Sequence, residues 1–135
     1  MNGLPPEVFA LTAVALFTGV LWVPIIINRL IEMGLWNALR NPQPDERPQA
    51  DWAWRLANAH RNAIENLVVF APLVLAIALL DLGNPLTESA SRLFLASRVA
   101  HAVIYAAGIP LLRTIAFAVG FACQLALGLR LLGVV

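Results

Sequence analysis

Four stretches of the chain, residues 8–28, 62–80, 93–112 and 114–135, are almost continuously apolar. A bilayer core about 30 Å thick needs about 20 apolar residues at ~1.5 Å rise each, so every stretch has the length of a spanning helix. The second and third carry groups that hydrocarbon rejects: Arg61, Asn62 and Glu65 in one, Arg98, His101 and Tyr105 in the other. An ionisable side chain at such a depth is costly and normally faces a bundle interior, where it marks a site. The pattern predicts an all-α integral membrane four-helix bundle, one domain over residues 1–135, with a polar pocket inside it. Spans are expected at about 7–28, 56–80, 90–109 and 113–133, with one long loop at about 29–55.

The connections follow from the residues between the runs. In Asn41-Pro42-Gln43-Pro44-Asp45-Glu46-Arg47-Pro48 three prolines remove donors and push their predecessors toward extended backbone, so this segment is a solvated loop. Asp51 is placed to cap the second helix, with Trp52 and Trp54 at the membrane interface. Asp81-Leu82-Gly83-Asn84-Pro85 reads as a compact turn, after which Thr87, with Ser89 or Ser91, is expected to cap the third helix. The third connection, around Gly108-Ile109-Pro110, is shorter still. Pro24 and Pro72 fall inside spans and are expected to mark kinks. The start of the chain lacks a basic n-region, and its apolar run exceeds a signal-peptide core, so it reads as a retained helix.

Arginine placement orients the bundle. The first loop holds Arg29, Arg40, Arg47 and Arg55, and the third connection Arg113; the opposite face has Arg92 and Arg130. Positive charge favours the cytoplasm, which puts both termini outside and the first and third loops inside. Polar groups from all four helices then gather in the cytoplasmic half. A transporter would want them through the full membrane depth.

Composition sharpens this picture. The 135 residues are 60% hydrophobic and 13% charged, with a mean hydropathy of +0.77, which excludes an ordinary soluble domain. A net charge of +1 without a basic stripe gives no footprint for nucleic acid. All nine basic residues are arginine, the side chain that holds carboxylates through a planar fork and stays charged when desolvated. Cys123, the single cysteine, lies in the fourth run and reads as an inert buried thiol.

On helix two, Asn62 and Glu65 are three residues apart and Arg61 and Glu65 four, so each pair shares a face. On helix three, Arg98, His101 and Tyr105 form one stripe at i, i+3 and i+7. These charges either satisfy one another, with Glu65 pairing Arg61 or Arg98 to lock the bundle, or serve a ligand. Arg61, Arg98 and Arg113 against the single Glu65 suit a ligand with more than one carboxylate. His60 and His101 lack the close spacing of a metal site, so no metal is expected; His101 is expected to donate a hydrogen bond across the bundle. No phosphate-binding glycine loop, Ser/His/Asp arrangement or dinucleotide fingerprint occurs.

The stretch Trp54-Arg55-Leu56-Ala57-Asn58-Ala59-His60-Arg61-Asn62-Ala63-Ile64-Glu65-Asn66 resembles the helix-two signature of the membrane-associated proteins in eicosanoid and glutathione metabolism. The run Arg98-Val99-Ala100-His101-Ala102-Val103-Ile104-Tyr105, followed by Pro110 and Arg113, resembles that family's helix-three motif and the start of its helix four. The likeness extends over the whole chain and is greatest to the small bacterial branch, which implies a bacterial inner membrane. It implies a homotrimer that binds glutathione, as co-substrate, between neighbouring subunits near the cytoplasmic side. By position the glutathione site is Arg61, Asn62, Glu65, Arg98, His101, Tyr105 and Arg113. Arg113 is the expected thiolate stabiliser and Tyr105 the second catalytic candidate. The implied activity is that of a transferase or peroxidase acting on apolar electrophiles or lipid hydroperoxides that arrive through the membrane lipid. The alternative is a non-catalytic protein of the same fold that binds a lipid, peptide or partner helix. Its support is Asn58, where many members carry an arginine.

Overall fold

The computed structural model describes residues 3–44, 46–48 and 50–135; Met1, Asn2, Asp45 and Gln49 lie outside the described residues. The described residues form helices and connecting turns without strands: α1 (Pro6–Val20), α2 (Trp22–Met33), α3 (Leu35–Leu39), α4 (Asp51–Leu79), α5 (Pro85–Ala107) and α6 (Pro110–Leu131). Helices α1 and α2 form one rod, Pro6–Met33, interrupted at Leu21. The interruption has a cause three residues on: Pro24 lacks the N–H that would bond Val20, and its ring crowds that carbonyl. In α4, by contrast, the helix continues through Pro72 without a break.

Among the described residues three helices are long and apolar enough to cross a membrane: Pro6–Met33, Asp51–Leu79 and Pro110–Leu131. Helix α5 has 23 residues, but Ser91, Arg92, Ser97, Arg98 and His101 dilute its apolar character. Ser91, Ser97, Arg98 and His101 are nevertheless buried, so α5 keeps its polar groups inside the bundle. It packs on α1, α4 and α6, whereas α1 and α6 do not meet. The outward surface is apolar: Leu16, Val68 and Leu111 are 66%, 69% and 71% exposed. Such an envelope belongs in lipid.

Two apolar clusters fill the interior. Val14, Phe70, Val74, Ile77, Ala90, Phe94, Cys123 and Leu127 form the larger, with the Phe70 and Phe94 rings stacked at 3.9 Å. Leu21, Leu56, Ala59, Ala63 and Ala102 form the smaller, built mainly from alanines that let the helices approach closely. Between them lies a polar layer.

Several ends differ from the sequence expectation. The loop is shorter than 29–55, because α2 runs to Met33, α3 follows, and α4 begins at Asp51. Ala50 occupies the cap position of α4, and Asp51 is its first helical residue, where a carboxylate still complements the helix dipole. Helix α5 is capped by Asn84, whose side-chain oxygen accepts from the Thr87 N–H at 2.9 Å while Thr87 Oγ1 accepts from the Asn84 N–H at 2.8 Å. Thr87 is therefore the reciprocal member of a capping box, not the cap itself.

The Thr87 hydroxyl also lies 2.5 Å from Glu7 Oε1, joining the first turns of α1 and α5. Glu7 is 4% exposed and packs against Gly83, where an added Cβ would sit 3.3 Å from the same oxygen. A buried carboxylate that loses its donor bears its desolvation cost alone. Thr87→Val is expected to destabilise the bundle by about 2 kcal/mol, read as a lowered midpoint in denaturation of the purified protein.

At the other end, Glu46 accepts from Arg40 at 2.6 Å and from Arg29 at 3.2 Å, and Glu32 accepts from the Ala50 N–H at 2.8 Å. These contacts strap the loop onto α2. The Arg40 hydrogen bond holds the Glu46 carboxyl below the usual carboxylate range. A lowered native pKa means the strap contributes above the unfolded carboxylate range and loses its contribution as pH falls through the lowered value. Glu46→Gln, which mimics that protonation, is expected to speed tryptic cleavage after Arg40 at neutral pH, measured by mass spectrometry.

Candidate functional site

The polar layer is built around Arg98. Its side chain leaves α5 at a position 2% exposed, and Nη1 donates to Asn62 Oδ1 on α4 while Nη2 donates to the Ala116 carbonyl on α6, both at 3.3 Å. The guanidinium carbon lies 5.4 Å from the Phe94 ring and 5.8 Å from Phe117, within reach of cation–π attraction. Gly120 makes the space. A Cβ there would stand 2.5 Å from Nη2 and 3.0 Å from Ser97 Oγ. Arg98 Nε is buried without a hydrogen-bond partner.

Two further amides extend the layer along α4. Asn66 Nδ2 donates to the Asn62 carbonyl at 2.9 Å and to Asn62 Oδ1 at 3.3 Å. Gln124 Nε2 on α6 donates to the Asn66 carbonyl at 2.9 Å. Neither Asn66 nor Gln124 stands out in sequence as a site residue. The available signal is register: Asn66 lies one turn after Asn62, and Gln124 one residue past Cys123 in an otherwise apolar run.

The other half of the site comes from the α5–α6 turn. Gly108 ends α5 in the left-handed region at φ 81°, and Ile109 and Pro110 start α6 at once. Arg55 Nε on α4 donates to the Ala106 carbonyl at 2.9 Å and packs on Gly108, where a Cβ would meet it at 3.2 Å. Because the turn is so tight, Arg113 in the first turns of α6 folds back over the last turn of α5. Its guanidinium carbon lies 4.6 Å from the Tyr105 ring centre. The His101 ring meets Tyr105 edge-on at 5.5 Å and Phe117 at 6.4 Å. His101 is buried and makes ring contacts in place of the expected hydrogen bond across the bundle.

The seven sequence-derived residues thus fall into three sets. Asn62 and Arg98 are bonded, and His101, Tyr105 and Arg113 form a continuous stack. Arg61 and Glu65 stand apart, exposed on the outward face of α4. Among the described residues the ion pairs are Arg29–Glu46, Arg40–Glu46 and Arg92–Glu88. None involves Arg61, Glu65, Arg98 or Arg113, so the lock between Glu65 and an arginine, one of the two sequence readings, does not form among the described residues. No cluster of three or more His, Cys, Asp or Glu suited to a metal occurs among the described residues.

Arg98 and Gly120 are a matched pair of a large and an absent side chain. Gly120→Ala is expected to cost about 1–3 kcal/mol through overpacking, since the enclosed guanidinium has no free direction in which to retreat. Thermal unfolding in detergent measures the loss.

Comparison with known proteins bears on the helical order and the motifs together. No curated protein matches the chain. The model of the MAPEG family does, over residues 8–133, and with nearly the whole sequence inside that match the chain belongs to the MAPEG family.

Proposed function

We propose that this protein is a membrane-bound glutathione-dependent transferase or peroxidase acting on apolar electrophiles or lipid hydroperoxides. The observation that carries this reading is the position of Arg113: a guanidinium without an acidic partner, over a phenol ring, at the positive end of α6. A thiol of pKa ~8.5 is only slightly ionised at neutral pH. Lowering it by ~2 units needs about 2.7 kcal/mol of preferential thiolate stabilisation, within reach of one guanidinium in a desolvated site. The thiol proton leaves to cytoplasmic water, and the thiolate either attacks an electrophilic carbon, forming the C–S bond as the leaving group departs with its electron pair, or attacks the peroxide oxygen, breaking the O–O bond to release the alcohol and a glutathione sulfenic acid that a second glutathione reduces to disulfide and water. Tyr105, held between His101 and Arg113, donates its hydroxyl to the sulfur.

Arg61 and Glu65 support a site shared between copies. Two opposite charges that remain exposed and unpaired on a helix clad in Val68 and Ile64 would be poorly placed against lipid. A homotrimer covers that face and brings Arg61 and Glu65 to a ligand held between neighbours. In this reading α1–α2, α4, α5 and α6 are four spans of one domain in a bacterial inner membrane, with both termini outside and the glutathione site on the cytoplasmic side. Asn58 favours a second, non-catalytic reading in which the same fold binds a lipid, peptide or partner helix. Its amide donates back to the Trp54 carbonyl at 3.0 Å and offers a ligand no charge.

Titration of glutathione into the detergent-purified protein, following thiolate absorbance and binding heat together, separates these readings. Binding with thiolate formation at neutral pH is expected. Arg113→Ala is expected to retain binding within a few fold and to lose the thiolate signal. Heat without ionisation in the parent protein points to the non-catalytic binder, and the absence of binding at millimolar glutathione ends the transferase reading.

A further inference from the structure

The end of the bundle opposite Arg113 carries a cavity remote from the site described above. The first turns of α1 and α5 lie side by side there, joined by the Glu7–Thr87 hydrogen bond. Between them opens a space of about 470 Å³ lined by Leu4, Pro6, Phe9, Ala10, Leu95 and Arg92. Leu4 and Phe9 are largely exposed, so the walls continue onto the outward apolar surface. Arg92 lies two turns into α5, about 10 Å along the axis at ~1.5 Å per residue. Its guanidinium turns back toward the start of the helix, where Nη2 lies 2.6 Å from Glu88 Oε1. A long basic side chain does this when its stem is in hydrocarbon and its charge at the headgroup level. Glu88 in turn lines a second cavity, of about 340 Å³, together with Glu7, and Pro6 borders both spaces. One positive charge thus overhangs an apolar space, with a carboxylate beside it on the side of the helix start.

We propose that this cavity is a phospholipid site selective for a zwitterionic headgroup with a primary ammonium, that of a phosphatidylethanolamine. Arg92 takes the phosphate: a guanidinium has five N–H donors, and contact with one Glu88 oxygen leaves an edge for a second acceptor. Glu88, held next to that phosphate, accepts from the ammonium. An acyl chain lies over Phe9 and Leu95. Each charge of the headgroup then meets its opposite, which is what separates it from other headgroups. A trimethylated ammonium has no N–H to donate to Glu88, and an anionic headgroup brings no cation to it. The site is independent of the function proposed above. An exposed ion pair one turn apart contributes little to stability, so either side chain can be replaced without unfolding the bundle.

The test adds palmitoyl-oleoyl phosphatidylethanolamine, phosphatidylcholine or phosphatidylglycerol, one at a time, to the delipidated full chain in detergent and counts bound lipid by native mass spectrometry. The ethanolamine lipid is expected to bind the parent about tenfold more tightly than either of the others. Arg92→Ala is expected to lose that binding. Glu88→Gln is expected to bring the ethanolamine lipid down to the level of the choline lipid, which itself stays unchanged. Leu95→Trp, which fills the cavity and keeps both charges, is expected to weaken the ethanolamine lipid about tenfold. Melting temperatures close to the parent's establish that the variants are folded, and the two charge variants decide the matter if the tryptophan disturbs packing. Equal affinity of the parent for all three lipids overturns headgroup recognition. Parent-like binding by Arg92→Ala, or by a folded Leu95→Trp, overturns the site. Competition by the soluble headgroup glycerophosphoethanolamine at the same concentration overturns the role of the chain.

Discussion

A guanidinium enclosed in a membrane bundle, with no carboxylate beside it, is the constraint around which this structure is arranged. Burying an unpaired charge is tolerable only when hydrogen bonds and polarisable neighbours replace water. Arg98 obtains two acceptors from two different helices and two aromatic faces, and it obtains room because position 120 has no side chain. Each of these requirements fixes a register: Asn62 sets α4 against α5, and Ala116 with Gly120 sets α6. The division of the interior into a large and a small apolar cluster follows, because the polar layer has to pass between them.

The two ends of the bundle are closed by different means. At one end Thr87 closes the capping box of its own helix with Asn84 and bonds Glu7, so α1 and the first turn of α5 are held by one hydroxyl. At the other end Arg55 donates to the Ala106 carbonyl near the end of α5 and packs on the tight turn at Gly108. That support lets Arg113 sit over Tyr105. The clamp at Arg98 and the stack at Arg113 thus share α5 as a common ruler, one stripe of residues at helical spacing.

The sequence made the helices and the polar convergence legible because periodicity and intramembrane charge are local signals. Arg98, His101 and Tyr105 could be placed on one stripe by counting alone. What counting missed was set by tertiary contact. The turn at Gly83, just before the Asn84 cap of α5, packs against Glu7, a residue 76 positions earlier in sequence. Gln124 finds its acceptor on a helix 58 positions earlier, and nothing in the run around it announces a partner. The role of Arg98 was the least legible. In sequence it counts as one more cation for a ligand, whereas packing seals it away.

That sealing changes the charge balance offered to a ligand. Sequence alone sets three arginines against one glutamate. With Arg98 committed to Asn62 and Ala116, the outward inventory is Arg61, Arg113, Glu65 and the donor face of Asn62. Two guanidiniums, one carboxylate and one amide donor complement a molecule with two carboxylates, one ammonium and peptide carbonyls more closely than three guanidiniums would. With the enclosed arginine committed to the bundle, the remaining exposed charges match in number those of the tripeptide proposed above.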